Sequence, residues 1–499
     1  MNRCRAFFLR RFLRDSLGQS MVVVALTLAG VMAVCATGVE TGHIYYAYQL
    51  LVSSTNAAAL AGGQQLPDTD AATTYVNKYS SATVQGVAGY NSTPILQNVS
   101  VSTSFECLNT VINSLNISCE TPTGGSGGNN ALQVTQTASV PLWFGGLVGL
   151  PKANLRAVST AAMRGGQNTP WNIAIILDAT GSMNNPDYGT QSKLRCNTQE
   201  KCAELGIQTL LGLLDPCAVG QTCSSNTGYV DAVSLYVFPN VVQTSASNDY
   251  CAGNGSAQAQ PYSVPDLPSN LTYNIISFSN DYRSSDSSTG LSTSSDLAKA
   301  TGYKHSGCSG IQANGSTYYA QVITQAQSDL KNQQTDAKNG SQNAIILLSD
   351  GDATAGEQGW LQASSSNSLN GVPGNNPTSY AYPSINGECG QAVLAAQAAA
   401  DAGTKVITIG YGTETSGSCL SDKTYSATVT TNGGSWGPGD QACQAMAAMA
   451  SAPEYFFSDG AHGCKATTPD NANLTTLTDI FTKVWSFFTN ARLIPNGTT

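Results

Sequence analysis

The amino-acid sequence predicts an α/β fold: a doubly wound, mostly parallel sheet, preceded by a single transmembrane and stalk helix and a small α+β spacer domain. Three observations lead there. From residue 171 onward, apolar runs of five to seven residues alternate with helical patterns, as expected of parallel strands joined by crossover helices. Near the amino terminus, residues 16–39 form an unbroken uncharged stretch. Between the two lie short β segments separated by turn-rich sequence. At 499 residues the chain is too long for one ordinary core, so several domains are expected.

Taken in order, residues 1–15 are a basic cytoplasmic segment carrying Arg3, Arg5, Arg10, Arg11 and Arg14. Residues 16–39, SLGQSMVVVALTLAGVMAVCATGV, are a transmembrane helix by length, since about 1.5 Å per residue carries them across a hydrocarbon core of about 30 Å. Arginines ahead of the span and Glu40 behind it predict a single-pass protein of the cytoplasmic (inner) membrane. Its amino terminus is then cytoplasmic and its main body extracytoplasmic. The rival is a cleaved signal peptide, whose apolar region is shorter, about 7–15 residues, and ends in small residues. Residues 40–63, ETGHIYYAYQLLVSSTNAAALAGG, lack proline and continue the helix as a stalk.

Composition narrows the function classes. Only 11% of residues are charged, and five of the 22 basic residues precede Asp15, leaving a strongly acidic body behind the span. Such a body excludes nucleic acid, whose phosphates require clustered Lys and Arg. Of 14 cysteines, Cys4 falls on the cytoplasmic side and Cys35 within the span. The even number beyond, with no CxxC pair and only three histidines in the chain, reads as disulfides in an oxidising compartment. Cys107 and Cys119, Cys196 and Cys202, and Cys217 and Cys223 are spaced as local partners; the remaining connectivity is open.

The spacer domain, 64–170, has β segments at QNVSVSTSF, ALQVTQTASVPLWF and NLRAVSTAAM and no visible catalytic group. The uncharged span, Glu40 and Gly42, the following tyrosines, Gln49-Leu50 and NAAALAGG together resemble the TadE/TadG-like amino-terminal region of Flp (tight-adherence) pilus-assembly proteins. Asn56 stands where that family usually has Asp, and Gln49-Leu50 reverses its usual Leu-Gln. VPLWFGGLVGLPKANLRAVSTAAMRGG resembles the close of the same region. The resemblance implies a place in pilus assembly.

After the linker at Arg164-Gly-Gly-Gln-Asn, residues 171–489 form the sheet domain. IAIIL (173–177), AVSLYVF (232–238), AIILL (344–348) and KVITI (405–409) read as strands buried on both faces. KCAELGIQTLLGLL and QAVLAAQAAADAG read as helices between them, the second stopped at Gly403. Ligands in such sheets gather beyond the carboxyl ends of strands. Asp178 follows one strand end and Asp350 another. Thr180 and Ser182 alternate behind Asp178, and Thr317 stands at the entry to a helical pattern, with Ser316 and Thr301 as rival hydroxyls. Two carboxylates and three hydroxyls form an oxygen-only set suited to one hard divalent cation, Mg²⁺ or else Mn²⁺ or Ca²⁺.

These residues resemble the von Willebrand factor A domain and its metal-ion-dependent adhesion site, D-x-S-x-S with a later Thr and a later Asp. Asp178, Thr180 and Ser182 match the first element, with Thr for the first Ser. Thr317 in Gly315-Ser316-Thr317 matches the second, and Asp350 in Ser349-Asp350-Gly351 the third. The resemblance implies a protein partner that offers an acidic side chain to the metal, other pilus-assembly components among the candidates.

Long stretches at about 241–310 and 352–388, rich in Ser, Asn and Gly, read as insertions, with Cys251, Cys308 and Cys389 at their margins. They are either a disulfide-stapled rim or solvated filler. Leu474, Leu477, Phe481, Val484, Trp485 and Phe488 recur at helical spacing and are expected to pack on the sheet. Residues 490–499 read as a C-terminal tail. The expected function is therefore binding without catalysis: a membrane-anchored extracytoplasmic protein of a tight-adherence system, with a surface adhesin as alternative. A serine hydrolase using Ser182 is the reading from a different class. It lacks the G-x-S-x-G elbow and has only His305 and His462 as bases beyond the stalk's His43.

Overall fold

The computed structural model describes residues 16–66, 69–108, 129–163, 170–187, 196–217, 223, 230–242, 271–304, 310–311, 313, 317–351, 353, 387–413, 419, 428–437, 441–489 and 491–495, with 286, 287, 289, 305–309 and 473 set aside. Two compact units result: Met1–Glu106 with Ala131–Met163 and Ala491–Thr499, and Cys107–Asn130 with Arg164–Asn490.

The first unit begins with one continuous helix, α1 (Ser16–Gly63), which joins the expected span and stalk. Side chains from Ser20 to Cys35 are exposed, whereas Ala47, Leu51, Ser54, Ala58 and Gly62 form a buried stripe at helical spacing. The stalk's second half is thus core. Helix α2 (Thr69–Tyr79) packs on α1, and Gly62 permits it, because a Cβ there would meet Val76 and Leu132. The sheet comprises β1 (Gln97–Glu106), β2 (Ala131–Pro141) and β3 (Lys152–Ala162), antiparallel throughout. Gln136, buried on β2, accepts from the Ser81 N–H and donates toward the Ser54 and Thr55 hydroxyls, so its amide is satisfied inside the core.

The second unit carries a six-stranded mixed sheet. Its strands are β4 (Trp171–Asp178), β5 (Asp231–Val242), β6 (Leu271–Ser279), β7 (Gln342–Ser349), β8 (Lys405–Gly410) and β9 (Phe456–Ser458), in spatial order β9-β8-β7-β4-β5-β6. All neighbours are parallel except β6, an antiparallel edge. The four strands read from apolar runs coincide with β4, β5, β7 and β8. Helices α3 (Gln199–Leu213), α4 (Ala320–Ala337), α5 (Glu388–Asp401), α6 (Ala442–Met449) and α7 (Leu477–Trp485) lie between and after them. Ala174, Ile176, Ile345 and Leu347 share a core with α4, α5 and α6. Ile173, Ile175 and Leu177, which alternate with them, are equally buried.

Local chemistry sets the helix ends. Thr198 caps α3 by accepting the Lys201 N–H, Thr476 caps α7 by accepting the Asp479 N–H, and Gly403 after α5 adopts φ +88°. The C-terminal stripe is buried as expected, but α7 packs on α3: Phe481 lies where a Cβ on Gly206 would come within 2.6 Å of its ring. Phe488 meets Trp171 edge-on at 5.1 Å. Gly206→Val is expected to lower unfolding stability by about 1–3 kcal/mol through overpacking, read as a lower urea midpoint.

Three sequence expectations change. Residues 271–279 lie inside the stretch read as an insertion yet form β6, because Tyr273, Ile275 and Ile276 are buried while polar residues fill the edge. Residues 492–494 are not tail but strand β10 (Arg492–Ile494), which pairs antiparallel with β3 in the first unit's sheet. Cys389 pairs with Cys419, whereas Cys251 and Cys308 lie outside the described residues. Cys196–Cys202 and Cys217–Cys223 are bonded as their spacing suggested, and Cys443–Cys464 adds another bridge. Cys107 is disulfide-bonded, and Cys119 lies outside the described residues.

Candidate functional site

β4 and β7 are adjacent and parallel, with Leu177 opposite Leu348. Asp178 therefore ends β4 beside Ser349, the last residue of β7, and Asp350 follows on the same edge. The Asp178 carboxylate is fully buried and held on both oxygens. Oδ1 accepts the Thr180 N–H at 2.8 Å, and Oδ2 accepts the Ser349 hydroxyl at 2.5 Å. The Asp350 backbone also donates to it. Thr180 opens a single 3₁₀ turn, Gly181–Asn184, which brings its hydroxyl to 2.9 Å from that of Ser182.

Past β7 the chain turns at Gly351 with φ +91°, where a Cβ would meet Thr413; glycine meets both demands. The Gly351 N–H donates to Ser349 Oγ at 3.0 Å, and the Tyr319 hydroxyl lies 3.3 Å from the same oxygen. Thr317 is buried just ahead of α4 and two residues from Tyr319. Of its rivals, Thr301 donates to the Ala298 carbonyl and Ser316 lies outside the described residues. Asp178, Thr180, Ser182 and Asp350 are thus assembled at one edge, with Thr317 entering beside Tyr319.

Burial pushes the Asp178 carboxyl up to about 6, with hydrogen bonds from Ser349, Thr180 and Asp350 opposing it. An oxygen-only donor set around a carboxylate disfavoured by burial suits a hard divalent cation, so the residues fit the ion the sequence suggested. Sequence reasoning missed Ser349, the hydroxyl that orients Asp178; its signal was the Ser before Asp350. It also missed Asp459, just beyond β9 on the same edge. Asp459 accepts the Ala461 and Gly412 N–H groups, and burial pushes it to about 6, with the charge of Asp187 adding to the rise. The edge is therefore acidic beyond the predicted residues.

A second feature flanks α3. A cavity of about 650 Å³ is lined by Asn184, Glu200, Lys201, Glu204, Gln208 and Thr301, among others. Lys201 Nζ sits 2.9 Å from Glu204 Oε2 and donates to the Ile311 carbonyl at 3.0 Å.

Residues 61–161 match the family model described as "Putative Tad-like Flp pilus-assembly". No curated protein matches the chain. Among solved structures it is similar to the pilus adhesin SpaC from Lactobacillus rhamnosus GG, at 14% identity over 79% of this chain and 35% of that chain, with a TM-score of 0.34. It is also similar to the PilB minor pilin from Streptococcus sanguinis, at 12% identity over 80% of each chain and a TM-score of 0.35. A von Willebrand factor type A protein from Catenulispora acidiphila is similar at 11% identity over 79% of this chain and 50% of that chain, TM-score 0.27. The chain spans only that 35% of the SpaC adhesin's length.

Proposed function

We propose that this chain is a membrane-anchored, extracytoplasmic binding protein of a tight-adherence (Flp) pilus system, and that its second unit is a von Willebrand factor A-like domain that recognises a partner protein through a divalent cation. The family match over 61–161 supports the pilus context. α1 is long and apolar enough to cross a membrane, which supports an inner-membrane anchor with the body outside. The observation that carries the binding reading is the emergence of Asp178 and Asp350 from adjacent parallel strands at one edge, with the Thr180 and Ser182 hydroxyls beside them.

Asp178, Thr180, Ser182, Thr317 and Asp350 would hold the ion, which when bound supplies an electrophilic point that favours an anionic oxygen, the chemistry of an Asp or Glu on a partner. The protein's own part is orientation. Ser349 and the Thr180 N–H fix the Asp178 carboxylate, and the 3₁₀ turn sets the paired hydroxyls, so little ordering remains when a partner arrives. The Ser182 hydroxyl lies 2.9 Å from that of Thr180, and the role proposed for both is coordination, so the reading is one of binding without catalysis.

The test is capture of other envelope proteins by the full chain in Mg²⁺ and in EDTA. Asp350→Ala should reduce capture by more than about tenfold, the loss that even an outer-shell partner of a metal can cause. Equal capture with and without chelator would reject the cation. Recovery with sheared surface fibres instead of the inner membrane would favour a surface adhesin.

A further inference from the structure

Helix α1 does not meet the first unit only through its buried stripe. At the end of the uncharged run, Glu40 reaches the turn between β2 and β3: its Oε1 accepts the Trp143 N–H at 3.0 Å and its Oε2 the Phe144 N–H at 2.8 Å. One turn on, the His43 ring stacks on the Trp143 indole, centroids 4.2 Å apart and planes within 14°. The turn is therefore fixed to the helix within four residues of Val39, where the membrane-crossing segment is expected to stop.

That turn has an unusual surface. Residues 142–150, LWFGGLVGL, contain no charge, and none occurs from Ala131 until Lys152. Trp143 is 64% exposed, Phe144 41%, Leu147 86% and Leu150 61%. The loop is nonetheless tightly built. Leu142 N–H donates to the Pro151 carbonyl at 2.9 Å, Leu150 N–H to the Gly145 carbonyl at 2.8 Å, and Gly149 takes φ +82° after the 3₁₀ turn Gly145–Val148. A rigid loop that turns four large apolar side chains outward has a surface to cover. Tyr45 and Tyr46, 63% and 55% exposed, add two more aromatic residues just past His43 on the helix. Tryptophan and tyrosine with an apolar body and a polar edge favour the zone where hydrocarbon meets headgroups.

We propose that the 142–150 turn is a second membrane contact: it sits in the outer interface of the bilayer that α1 crosses, with Trp143, Phe144, Leu147 and Leu150 among the lipids. This rests on the reading of α1 as an anchor. The occupant follows from position, because Glu40 and His43 pin the turn at the level where the apolar helix ends. Two contacts at one height would also fix the tilt and rotation of the first unit on the membrane, which a single helix leaves free.

The test uses the full chain reconstituted into phosphatidylethanolamine and phosphatidylglycerol vesicles containing dibrominated phosphatidylcholine. Tryptophan fluorescence should be quenched by the brominated lipid, and Trp143→Phe should lose that quenchable component. Leu147→Asp with Leu150→Asp should lower the quenching while the protein still floats with the vesicles and resists alkaline carbonate. If the protein floats but Trp143→Phe leaves lipid quenching unchanged, or if Trp143 is quenched by aqueous iodide only, the turn faces water or protein and the proposal fails while the anchor stands. A wild-type chain that neither floats nor resists carbonate overturns both.

Discussion

Asp178→Asn is expected to erase the protein's thermal response to Mg²⁺ while leaving the cation-free fold at least as stable as wild type at neutral pH. The carboxyl of Asp178 is pushed up by burial to about 6 from an ordinary 3.8. The folded chain therefore keeps a proton that the unfolded chain releases between those values. Its contribution to stability is complete below the lower value and lost as pH rises through the upper one. At pH 7 the ionised, buried side chain costs the fold on the order of 3 kcal/mol. Asparagine removes that charge and still offers an oxygen to the Thr180 N–H, so the apo fold gains. A bound ion offsets the same charge in the wild type. At an ion concentration 100 times its Kd it adds about 2.7 kcal/mol, and the variant forfeits this. Because proton and ion compete for one carboxylate, the wild-type response to Mg²⁺ should also shrink as pH falls below about 6. Differential scanning calorimetry from pH 5 to 8, with and without millimolar Mg²⁺, reads all three effects. A wild-type melting temperature indifferent to Mg²⁺ throughout would remove the cation from the mechanism, and a full response in the variant would move it elsewhere.

The parts of the fold that could be read from sequence were those whose physics is local. β4, β7 and β8 are buried on both faces, so each is a continuous apolar run, and following their ends was enough to find Asp178 and Asp350. Edge elements carry no such signal. β6 reads LTYNIISFS, with polar residues among its apolar ones, because among the described residues one of its sides has no partner strand. β10 is three residues long and gains its place only from pairing with β3, far back along the chain. The orienting contact of Ser349 on Asp178 spans 171 positions, so the serine beside Asp350 is visible in the sequence while its partner across the sheet is not. The 142–150 turn shows the converse. Its apolar residues were visible, but a sequence cannot say whether Trp143 and Leu147 point into a core or out of it. Glu204 lies within the stretch read as a helix and Glu200 just ahead of it, and only packing reveals that both are almost fully buried.

That buried pair gives the second large effect: Glu204→Gln should stabilise the second unit in alkaline solution and flatten its loss of stability with pH. Burial pushes Glu200 up to about 7 and Glu204 to about 8, from an ordinary 4.5, with Lys201 pulling both down and the charge of Glu200 pushing Glu204 further up. Each carboxyl is protonated in the folded chain where the unfolded chain has already ionised. Their stabilising share is whole below 4.5 and disappears as pH rises through 7 and then 8. Oε1 of each lacks a hydrogen-bond partner among the described residues, which leaves the ionised forms poorly compensated. Glutamine keeps the size of Glu204 and can still accept from Lys201, but it cannot ionise. The variant should therefore match the wild type near pH 5 and exceed it by about 2–4 kcal/mol at pH 9, a figure that discounts the coupling with Lys201. Urea unfolding monitored at pH 5, 7 and 9 measures the difference. A variant weaker than the wild type at pH 9 would mean that the Lys201–Glu204 pair is worth more than the burial of its carboxylate costs, and α3 would then be held in place by that ion pair.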